Sequence, residues 1–397
     1  MTGQRRAMQE GGWVVKKLMA HVMVNMSRVE STGREWRACR RAGRSLMAAA
    51  MLVAVSMPCV RAASYYLATD VPARLGGAEY TQAQILRSDG GLYSVAVDTD
   101  GAAFKAMARR PDGLWLITES APDKINGVFY EPRDVFLTDA ATTFSMYFDG
   151  NAAGVPDGAA IDAILLDGDG SLVLSFDVPV NLAGIEFGPA DLVRHSGGRF
   201  SLFWNAGAAG VPAYANVVGA DRDSLGRLVV TFDVPTTLGG VNYLPGQLVI
   251  WNGGTSFSVY SSDPAWPLSA QLRDFAFVPA AGAVPDGGSV AGTPLTVGLA
   301  AGNLTLSWGG SCAGGDSDYE VYEGTLAGPF LYNHTEKLCS TGGATTATFS
   351  APAVSTYYLV VPKNAVSEGS YGRSSGGAER PQGSPACVPQ VIALACP

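Results

Sequence analysis

Carboxylates are the side chains of this sequence most able to do chemistry, and two pairs of them are spaced to suit a cation. Asp98 and Asp100 stand in Asp-Thr-Asp-Gly, and Asp167 and Asp169 stand in Asp-Gly-Asp-Gly. Alternate oxygen ligands of this kind open calcium-binding loops, but Asp-Gly is also a strong hairpin signal. Neither phrase continues to the further acidic ligand of an EF-hand. The turn is therefore the favoured interpretation, and calcium is the alternative and the one cofactor suggested.

A second acidic set recurs along the chain. Asp70, Asp177 and Asp233 each begin the phrase Asp-Val-Pro, and Glu119 takes the equivalent place once. Recurrence within one chain favours a structural role, because each unit needs the same strand end. If the four side chains faced a common axis, they would instead form an acidic ring able to bind a cation.

Motifs for hydrolysis are weak. Beyond residue 62 there are two histidines, His195 and His334, and a Ser-His-Asp triad needs one as general base. His195 is expected at an exposed hairpin turn. The segment 372–376 reads Gly-Arg-Ser-Ser-Gly, but a nucleophile elbow needs a strand before it and a helix after it. A glycosidase would need two carboxylates across a sugar, and sequence spacing does not place such a pair.

Four cysteines lie in the last quarter of the chain and point to disulfide bonds. An even number confined to one region is typical of an exported protein. Zinc is disfavoured because the cysteines form no CxxC motif and His334 is the single histidine near them. Three pairings are open, and proximity in sequence favours Cys312–Cys339 and Cys387–Cys396.

The elements that position these residues come from a fourfold repeat. One phrase reads Leu-Gly-Gly-Ala-Glu-Tyr at 75–80 and recurs with glycines at Gly77, Gly127, Gly184 and Gly240, spaced by 50, 57 and 56 residues. A second phrase, an aromatic residue, serine and an apolar residue, runs in step with it at 93–95, 144–146, 200–202 and 257–259. Two markers with one period predict an array of like supersecondary units. Alternating patterns and the lack of a sustained 3.6-residue period predict an all-β fold.

The ends of the array predict how it closes. Each unit of about 56 residues has about four strand-like runs, but the fourth unit lacks one. The matching run lies at the beginning, at 65–69. If this strand completes the last unit, the array closes and hides its edges. Residues 63–282 are thus predicted to form a four-bladed β-propeller, with an open β-stack or a pair of sandwiches as rivals.

A second β domain follows a linker at 283–294. The phrases Leu-Ser-Trp at 306–308, Tyr-Glu-Val-Tyr at 319–322 and the run from Tyr358 to Gly372 resemble strand B, strand C and the F–G hairpin of a fibronectin type III domain. The resemblance covers 295–376 and departs from most of the family in its cysteines. It implies a β-sandwich that serves as a spacer or adhesive module without catalytic residues. Residues 377–397 remain as a cysteine-containing tail. The whole also resembles secreted bacterial proteins of unknown role.

The amino-terminal segment predicts export. Basic residues at 40–44, an apolar run at 46–57 and the phrase Val-Arg-Ala at 60–62 are typical of a signal peptide cleaved after Ala62. Residues 1–62 are thus an amino-terminal extension and signal peptide. The apolar run is too short to span a bilayer, so no transmembrane span is expected after cleavage.

Charge narrows the partners. Residues 1–62 contain 11 of the 27 lysines and arginines and 3 of the 35 acidic residues, so the mature chain of 335 residues has a net charge of about −16. Nucleic acid, which requires a basic surface, is excluded. The predicted function is a non-enzymatic secreted, periplasmic or surface protein that binds an extracellular protein or glycan. The alternative is a carbohydrate-active enzyme with an appended β-sandwich.

Overall fold

The computed structural model describes residues 64–98, 104–125, 127–261, 266–267, 269–326, 330–394 and 396. The predicted signal peptide lies outside the described residues. The protein is all-β, in several small antiparallel sheets. Its one described helix is α1 (Gly150–Ala153), which Asp149 caps by accepting a hydrogen bond from the backbone N–H of Ala152. Among the described residues, no helix is long and apolar enough to cross a membrane.

The first 24 strands belong to the repeat region. In chain order they are β1 (Ser64–Thr69), β2 (Ala73–Leu75), β3 (Ala78–Tyr80), β4 (Gln84–Asp89), β5 (Leu92–Asp98), β6 (Phe104–Arg109), β7 (Trp115–Glu119), β8 (Asp123–Ile125), β9 (Val128–Tyr130), β10 (Val135–Thr138), β11 (Phe144–Phe148), β12 (Ile161–Leu166), β13 (Leu172–Phe176), β14 (Val180–Leu182), β15 (Ile185–Phe187), β16 (Leu192–Ser196), β17 (Arg199–Trp204), β18 (Val217–Arg222), β19 (Leu228–Phe232), β20 (Thr236–Leu238), β21 (Val241–Tyr243), β22 (Leu248–Trp251), β23 (Phe257–Ser261) and β24 (Leu272–Phe277).

Sixteen of these strands form four sheets of four strands, and the other eight form four short hairpins. The orders of the four-stranded sheets are β24-β1-β4-β5, β6-β7-β10-β11, β12-β13-β16-β17 and β18-β19-β22-β23. The first strand of the chain therefore pairs with the last strand of the repeat region, with Tyr65 opposite Phe277 and Leu67 opposite Phe275. We call β6, β12, β18 and β24 the central strands: each packs against the next, and β24 packs in turn against β6.

Each repeated phrase lies on a short hairpin between the second and third strands of its sheet. The hairpins are β2-β3, β8-β9, β14-β15 and β20-β21. In the first, Gly76 and Gly77 have φ of 57° and 87°, as a two-residue hairpin turn requires. The tyrosine or phenylalanine that ends each phrase is buried. The phrase recurs because its glycine forms the turn and its final aromatic residue packs in the core.

Apolar packing joins neighbouring sheets. One cluster joins the sheet of β1 to that of β6 through Tyr66 and Trp115, and further clusters join the sheets of β6 and β12 and of β12 and β18. A fourth joins the sheet of β18 to that of β1 through Val229 and Leu67. Each cluster takes its buried residues from both partners, so apolar side-chain packing stabilises neighbouring sheets against one another.

The remainder of the chain forms two three-stranded sheets. Their orders are β25-β26-β29 and β28-β27-β30. The strands are β25 (Thr296–Ala300), β26 (Asn303–Ser307), β27 (Asp318–Thr325), β28 (Thr335–Leu338), β29 (Thr346–Ser350) and β30 (Thr356–Lys363). Both sheets contribute to one apolar cluster, which includes Leu306, Trp308 and Val321. Strands β26, β27, β29 and β30 agree with the predicted runs.

The predicted hairpin after β30 does not form a second strand. Glu368 makes only isolated bridges, to Lys363 and to Gln390 of the tail. The Gly369 N–H bonds to the carbonyl of Pro362 on β30, whereas the Ser370 N–H bonds to the carbonyl of Gly282. The segment therefore turns back along the end of β30 and then pairs with the tail and with the end of the repeat region instead of continuing as a strand.

The disulfide pairing favoured from sequence is wrong. The bonds are Cys312–Cys396, with Cα atoms 5.7 Å apart, and Cys339–Cys387, with Cα atoms 5.6 Å apart. The tail runs back across the domain, which brings Cys396 to the loop at Cys312 and Cys387 to the end of β28. Proximity in sequence gave the wrong pairing because the folded tail brings each of its cysteines next to one that is distant in the chain.

Candidate functional site

The four central strands end around one cavity. Their last residues, Arg109, Leu166, Arg222 and Phe277, all line a cavity of about 430 Å3. Its opposite wall includes Ala280, Gly314 and Ala393, from the chain that follows the repeat region. We call this space the axial cavity. It has the size of a small-molecule site.

Arg109 contributes a cation without a carboxylate partner. Its guanidinium carbon lies 4.4 Å from the centre of the Trp115 ring and 5.9 Å from that of Tyr66. Its Nε is buried without a hydrogen-bond acceptor, and no carboxylate lies within salt-bridge distance in the part of the chain that the structure describes. Burial lowers the pKa of Arg109. A desolvated guanidinium with an unused donor is prepared for an anionic group.

Asp221 contributes a carboxylate that also lacks an opposite charge. It accepts hydrogen bonds from the backbone N–H groups of Arg222 and Phe277, each at 2.7 Å. Burial raises its pKa to about 7. The described residues place no cationic side chain in a salt bridge with it, although it lines the axial cavity.

The other charges of the cavity wall are neutralised. Asp223 accepts from Arg227 at 2.6 Å. Asp167 pairs with Arg194 and lies 3.4 Å from Arg222 Nε. Arg109 and Asp221 therefore differ from the acidic residues beside them.

Asp274 occupies the space between the central strands. Its side chain is fully buried and accepts from the backbone N–H groups of Met107 on β6 and Phe275 on β24, each at 2.7 Å. Burial raises the pKa of Asp274 well above its ordinary value. The third neighbour is Gly219 on β18, where a Cβ atom would lie 2.7 Å from Asp274 Oδ1. A buried carboxyl group, rather than an apolar side chain, thus fills the space between these central strands.

A second cavity shares Arg109. It measures about 340 Å3 and is lined by residues that include Tyr66, Trp115, Val97 and Asp139. Arg109 therefore lines two cavities. It stacks on Trp115, which lines the smaller cavity, and it also contributes to the wall of the axial cavity.

The carboxylates predicted as calcium ligands have protein partners. Asp169 pairs with Arg194 at 2.9 Å, and Asp167 pairs with the same guanidinium. An ion at this turn would compete with Arg194. Asp98 is exposed and accepts from Gln84 Nε2 at 2.8 Å, while Asp100 lies outside the described residues. The described residues include no group of three or more side chains arranged for a metal ion, and the calcium hypothesis stays a prediction.

The recurring Asp-Val-Pro aspartates stabilise strand beginnings. Asp70, Asp177 and Asp233 accept hydrogen bonds from the backbone N–H groups just before β24, β12 and β18, at 2.6, 2.7 and 2.8 Å. Glu119 is buried, and burial raises its pKa to about 7; the residue just before β6, which would be its donor, lies outside the described residues. The structural interpretation of the set agrees with these bonds.

The histidines differ from the sequence-based interpretation. His195 was expected at an exposed turn, but it lies on β16, half-buried between the rings of Phe148 and Phe200, each 4.9 Å away. Strand pairing extends further toward the Gly-Gly turn than local sequence suggested. Phe200 lies opposite His195 on the adjacent strand of the same hairpin, and Phe148 comes from a distant position. The segment 372–376 lies in a loop with neither a strand before it nor a helix after it.

A buried acid pair lies in the carboxyl-terminal domain. Glu320 and Glu368 are both fully buried, and both contact the hydroxyl of Tyr322, at 3.0 and 2.7 Å. A retaining or inverting glycosidase instead spaces its carboxyl groups by roughly 5–9.5 Å around a sugar. Two acids joined through one hydroxyl and closed to solvent do not have that geometry.

Sequence reasoning missed Arg109 and Asp221, although a signal was present. By ladder register, Asp221 stands where the other central strands have Ala108, Leu165 and Ala276. Asp221 is thus a charged residue at a position that is apolar in the other three repeats, and this difference was visible in the sequence.

Comparisons with known proteins show distant likenesses only. No family model matches the chain, and no curated protein matches it. A structure described as the extracellular domain of a hybrid two-component system of B. thetaiotaomicron is 12% identical with a TM-score of 0.23, covering 72% of this chain and 40% of that one. A protein of unknown function from Bacteroides caccae is 9% identical with a TM-score of 0.25, covering 62% and 82%. PorZ, a surface component of the type-IX secretion system of Porphyromonas gingivalis, is 14% identical with a TM-score of 0.20, covering 71% and 40%. This chain thus spans about two fifths of the first and third of these. TM-scores this low do not establish a common fold.

Proposed function

We propose that this protein is exported and binds an extracellular ligand at the axial cavity without catalysing a reaction. In this proposal residues 63–282 form a four-bladed β-propeller and residues 283–294 a linker. Residues 295–376 form a fibronectin type III-like β-sandwich, and residues 377–397 a tail fastened to it.

Strand pairing supports the propeller. Each of the four sheets is antiparallel, β1 supplies the strand that the last unit lacks, and the four central strands pack in a cycle. When the first strand of the array pairs with the last one, neither end of the array leaves an unpaired strand edge. In each sheet the strand at the edge opposite the central strand is the outermost one, namely β5, β11, β17 or β23.

The two disulfides support export. Such bonds form and persist in oxidising compartments, and both connect the tail to the second domain. The signal peptide predicted at 1–62 supports the same location. The sandwich is supported by the two three-stranded sheets that share the cluster around Trp308, and its spacer role follows from the resemblance alone.

Arg109 is the observation that carries the binding function. Desolvating a guanidinium without an opposite charge or an acceptor for Nε is unfavourable, and a ligand that supplied both would relieve this cost. The sequence leaves a protein or a glycan open as the ligand. The cavity volume favours a small molecule, or the end of a larger one.

A ligand library read by thermal unfolding tests this function. We expect at least one class of neutral sugar, organic acid or amino compound to raise the melting temperature of the mature protein. At a hundredfold excess over Kd the gain is about 2.7 kcal/mol, which is several degrees for a protein of this size. Arg109→Ala should lose the gain, whereas Arg199→Ala, at an exposed position on β17, should retain it.

The same samples separate binding from catalysis. Reducing-sugar release from any glycan in the library would overturn the non-enzymatic proposal and support the carbohydrate-active alternative. A library in which no compound shifts the melting temperature, or in which every shift survives Arg109→Ala, would contradict binding at the axial cavity.

A further inference from the structure

Among the described residues, a basic and an acidic side chain line the axial cavity without a salt bridge, namely Arg109 and Asp221. Arg109 ends β6, and Asp221 precedes the last residue of β18. In the cycle of central strands, β12 and β24 separate these two strands on either side. The two charges therefore reach the cavity from opposite sides.

Among the residues that the structure describes, neither group forms a salt bridge, although Asp112 lies near enough to interact with Arg109 and Arg222 near enough to interact with Asp221. Arg109 has an unused Nε donor and stacks on Trp115 instead of pairing with a carboxylate. Asp221 receives only backbone N–H groups. Asp167 and Asp223, which also line the cavity, are each paired with an arginine. Arg222 Nε also lacks a hydrogen-bond acceptor, although Asp167 lies 3.4 Å from it. Of the described residues that line the cavity, Arg109 and Asp221 are the charged groups that form no salt bridge and that a ligand could pair with.

Apolar and small residues separate the two charges. Leu166 on β12 and Phe277 on β24 end the intervening central strands, and Gly168, Gly170 and Gly226 leave room beside them. A site of this composition suits a ligand with charged ends and a short apolar middle, since buried charges require partners whereas methylene groups do not.

We propose that the axial cavity binds a small zwitterion, with its carboxylate at the Arg109 guanidinium and its ammonium group at the Asp221 carboxylate. This inference rests on the proposed binding function and specifies its ligand class. A guanidinium binds a carboxylate through paired N–H donors. A neutral sugar would leave both protein charges without a partner, and a simple anion or amine would leave one.

A series of ω-amino acids tests the inference on the full mature protein. Glycine, 4-aminobutyrate and 6-aminohexanoate vary the separation of the two charges, and hexanoate and hexylamine supply each half alone. We expect one zwitterion of the series to raise the melting temperature by several degrees at millimolar concentration. An equimolar mixture of hexanoate and hexylamine should have a smaller effect.

Variants assign the two ends. Arg109→Gln and Asp221→Asn should each weaken binding of the best zwitterion by about tenfold or more, the effect of losing one charge-assisted contact. In hexanoate, Asp221→Asn should have no effect. Arg199→Gln should bind as the wild type does, and circular dichroism should show that all variants are folded.

The outcomes separate this inference from the broader function. If a neutral sugar or a simple carboxylate binds as well as any zwitterion, and the binding depends on Arg109 but not on Asp221, the zwitterion inference is wrong and the cavity remains a binding site. If the zwitterion binds equally well to both variants, the inference is also wrong. If no compound binds, both proposals fall together.

Discussion

Among single residues, the buried acids Glu320 and Glu368 place the strictest demand on the fold. The Tyr322 hydroxyl has one hydrogen, yet it contacts both carboxyl groups and also accepts from the backbone N–H of Cys387 at 3.0 Å. One acid must therefore be protonated to complete the hydrogen bonds. Tyr371 and Gln382 donate to Glu368 at 2.7 and 2.6 Å, which favours the proton on Glu320.

The electrostatic surroundings agree with that assignment. Burial, together with the neighbouring Glu368, raises the pKa of Glu320 to about 8, and this effect outweighs that of Lys363 Nζ, which lies 3.4 Å away and favours the ionised form. His334 stacks on Tyr371, with the ring centres 5.3 Å apart, and burial lowers its pKa. The pair thus resembles a shared-proton dyad closed to solvent rather than a catalytic pair.

We predict that this acid pair makes stability fall as the pH rises. The folded-state pKa of Glu320 exceeds its ordinary value, so its contribution to the free energy of unfolding is complete below about pH 4.5. That contribution is lost as the pH passes from there to about 8. Urea unfolding at several pH values should give a flatter profile for Glu320→Gln, whose amide mimics the protonated acid. Glu336→Gln, an exposed change on β28, should follow the wild type, and equal profiles for all three proteins would contradict the shared proton.

Among the elements, the central strands show how one repeat unit is adapted to a crowded axis. The bulge in each strand shifts the register at the same place, after Phe104, Ile161 and Val217. The residues that follow the bulge are Ala106, Ala163, Gly219 and Asp274. Three small residues and one carboxylate share the space, because four larger side chains would not fit among strands packed this closely.

We predict that Gly219→Ala destabilises the protein by about 1–3 kcal/mol, the usual cost of overpacking a core. The added Cβ would lie 2.7 Å from Asp274 Oδ1 and 2.9 Å from Thr231 Cγ2. Gly298→Ala is the matched control, since it also lies within a strand, but its nearest neighbour would be 3.8 Å away. Thermal unfolding of the two variants should differ by several degrees. Similar melting temperatures would mean that the axis has spare volume.

At the scale of the whole molecule, the tail connects the two halves of the chain. Ala281 exchanges backbone hydrogen bonds with Val391 and Ala393, and Ala365 N–H bonds to the carbonyl of Pro111 in the β6–β7 turn. The Cys312–Cys396 bond fastens the tail beside Gly314 and Ala393, which line the axial cavity. The tail is therefore part of the cavity wall as well as a cover for the acid pair.

We predict that removing this bond weakens both the fold and the binding site. Cys312→Ser with Cys396→Ser opens a loop of 84 residues, at a cost of about 3–5 kcal/mol. The tail should then become sensitive to trypsin at Arg373, and ligand-induced stabilisation should decrease. Non-reducing peptide mapping of the wild type should recover Cys312 joined to Cys396. Recovery of Cys312 joined to Cys339 would contradict this arrangement.

Local sequence determined the secondary structure well, because turns and strands depend on residues that are close in the chain. The glycines at 76–77 and 239–240 have positive φ in their hairpin turns, a conformation that glycine adopts more readily than other residues. The phrases at 306–308 and 319–322 and the run that begins at Tyr358 predicted β26, β27 and β30. The four cysteines and their location likewise predicted disulfide bonds.

Tertiary structure alone decided which distant residues meet. Cys396 reaches Cys312 across 84 residues, and His195 is enclosed by Phe148 and Phe200 from other strands. The candidate site arises in the same way: Arg109 and Asp221 are 112 positions apart in the numbering, and only the packing of the central strands brings them to one cavity. Local patterns carry no information on such contacts, since these depend on how the sheets are arranged around the axis and on which charges are left there without a partner.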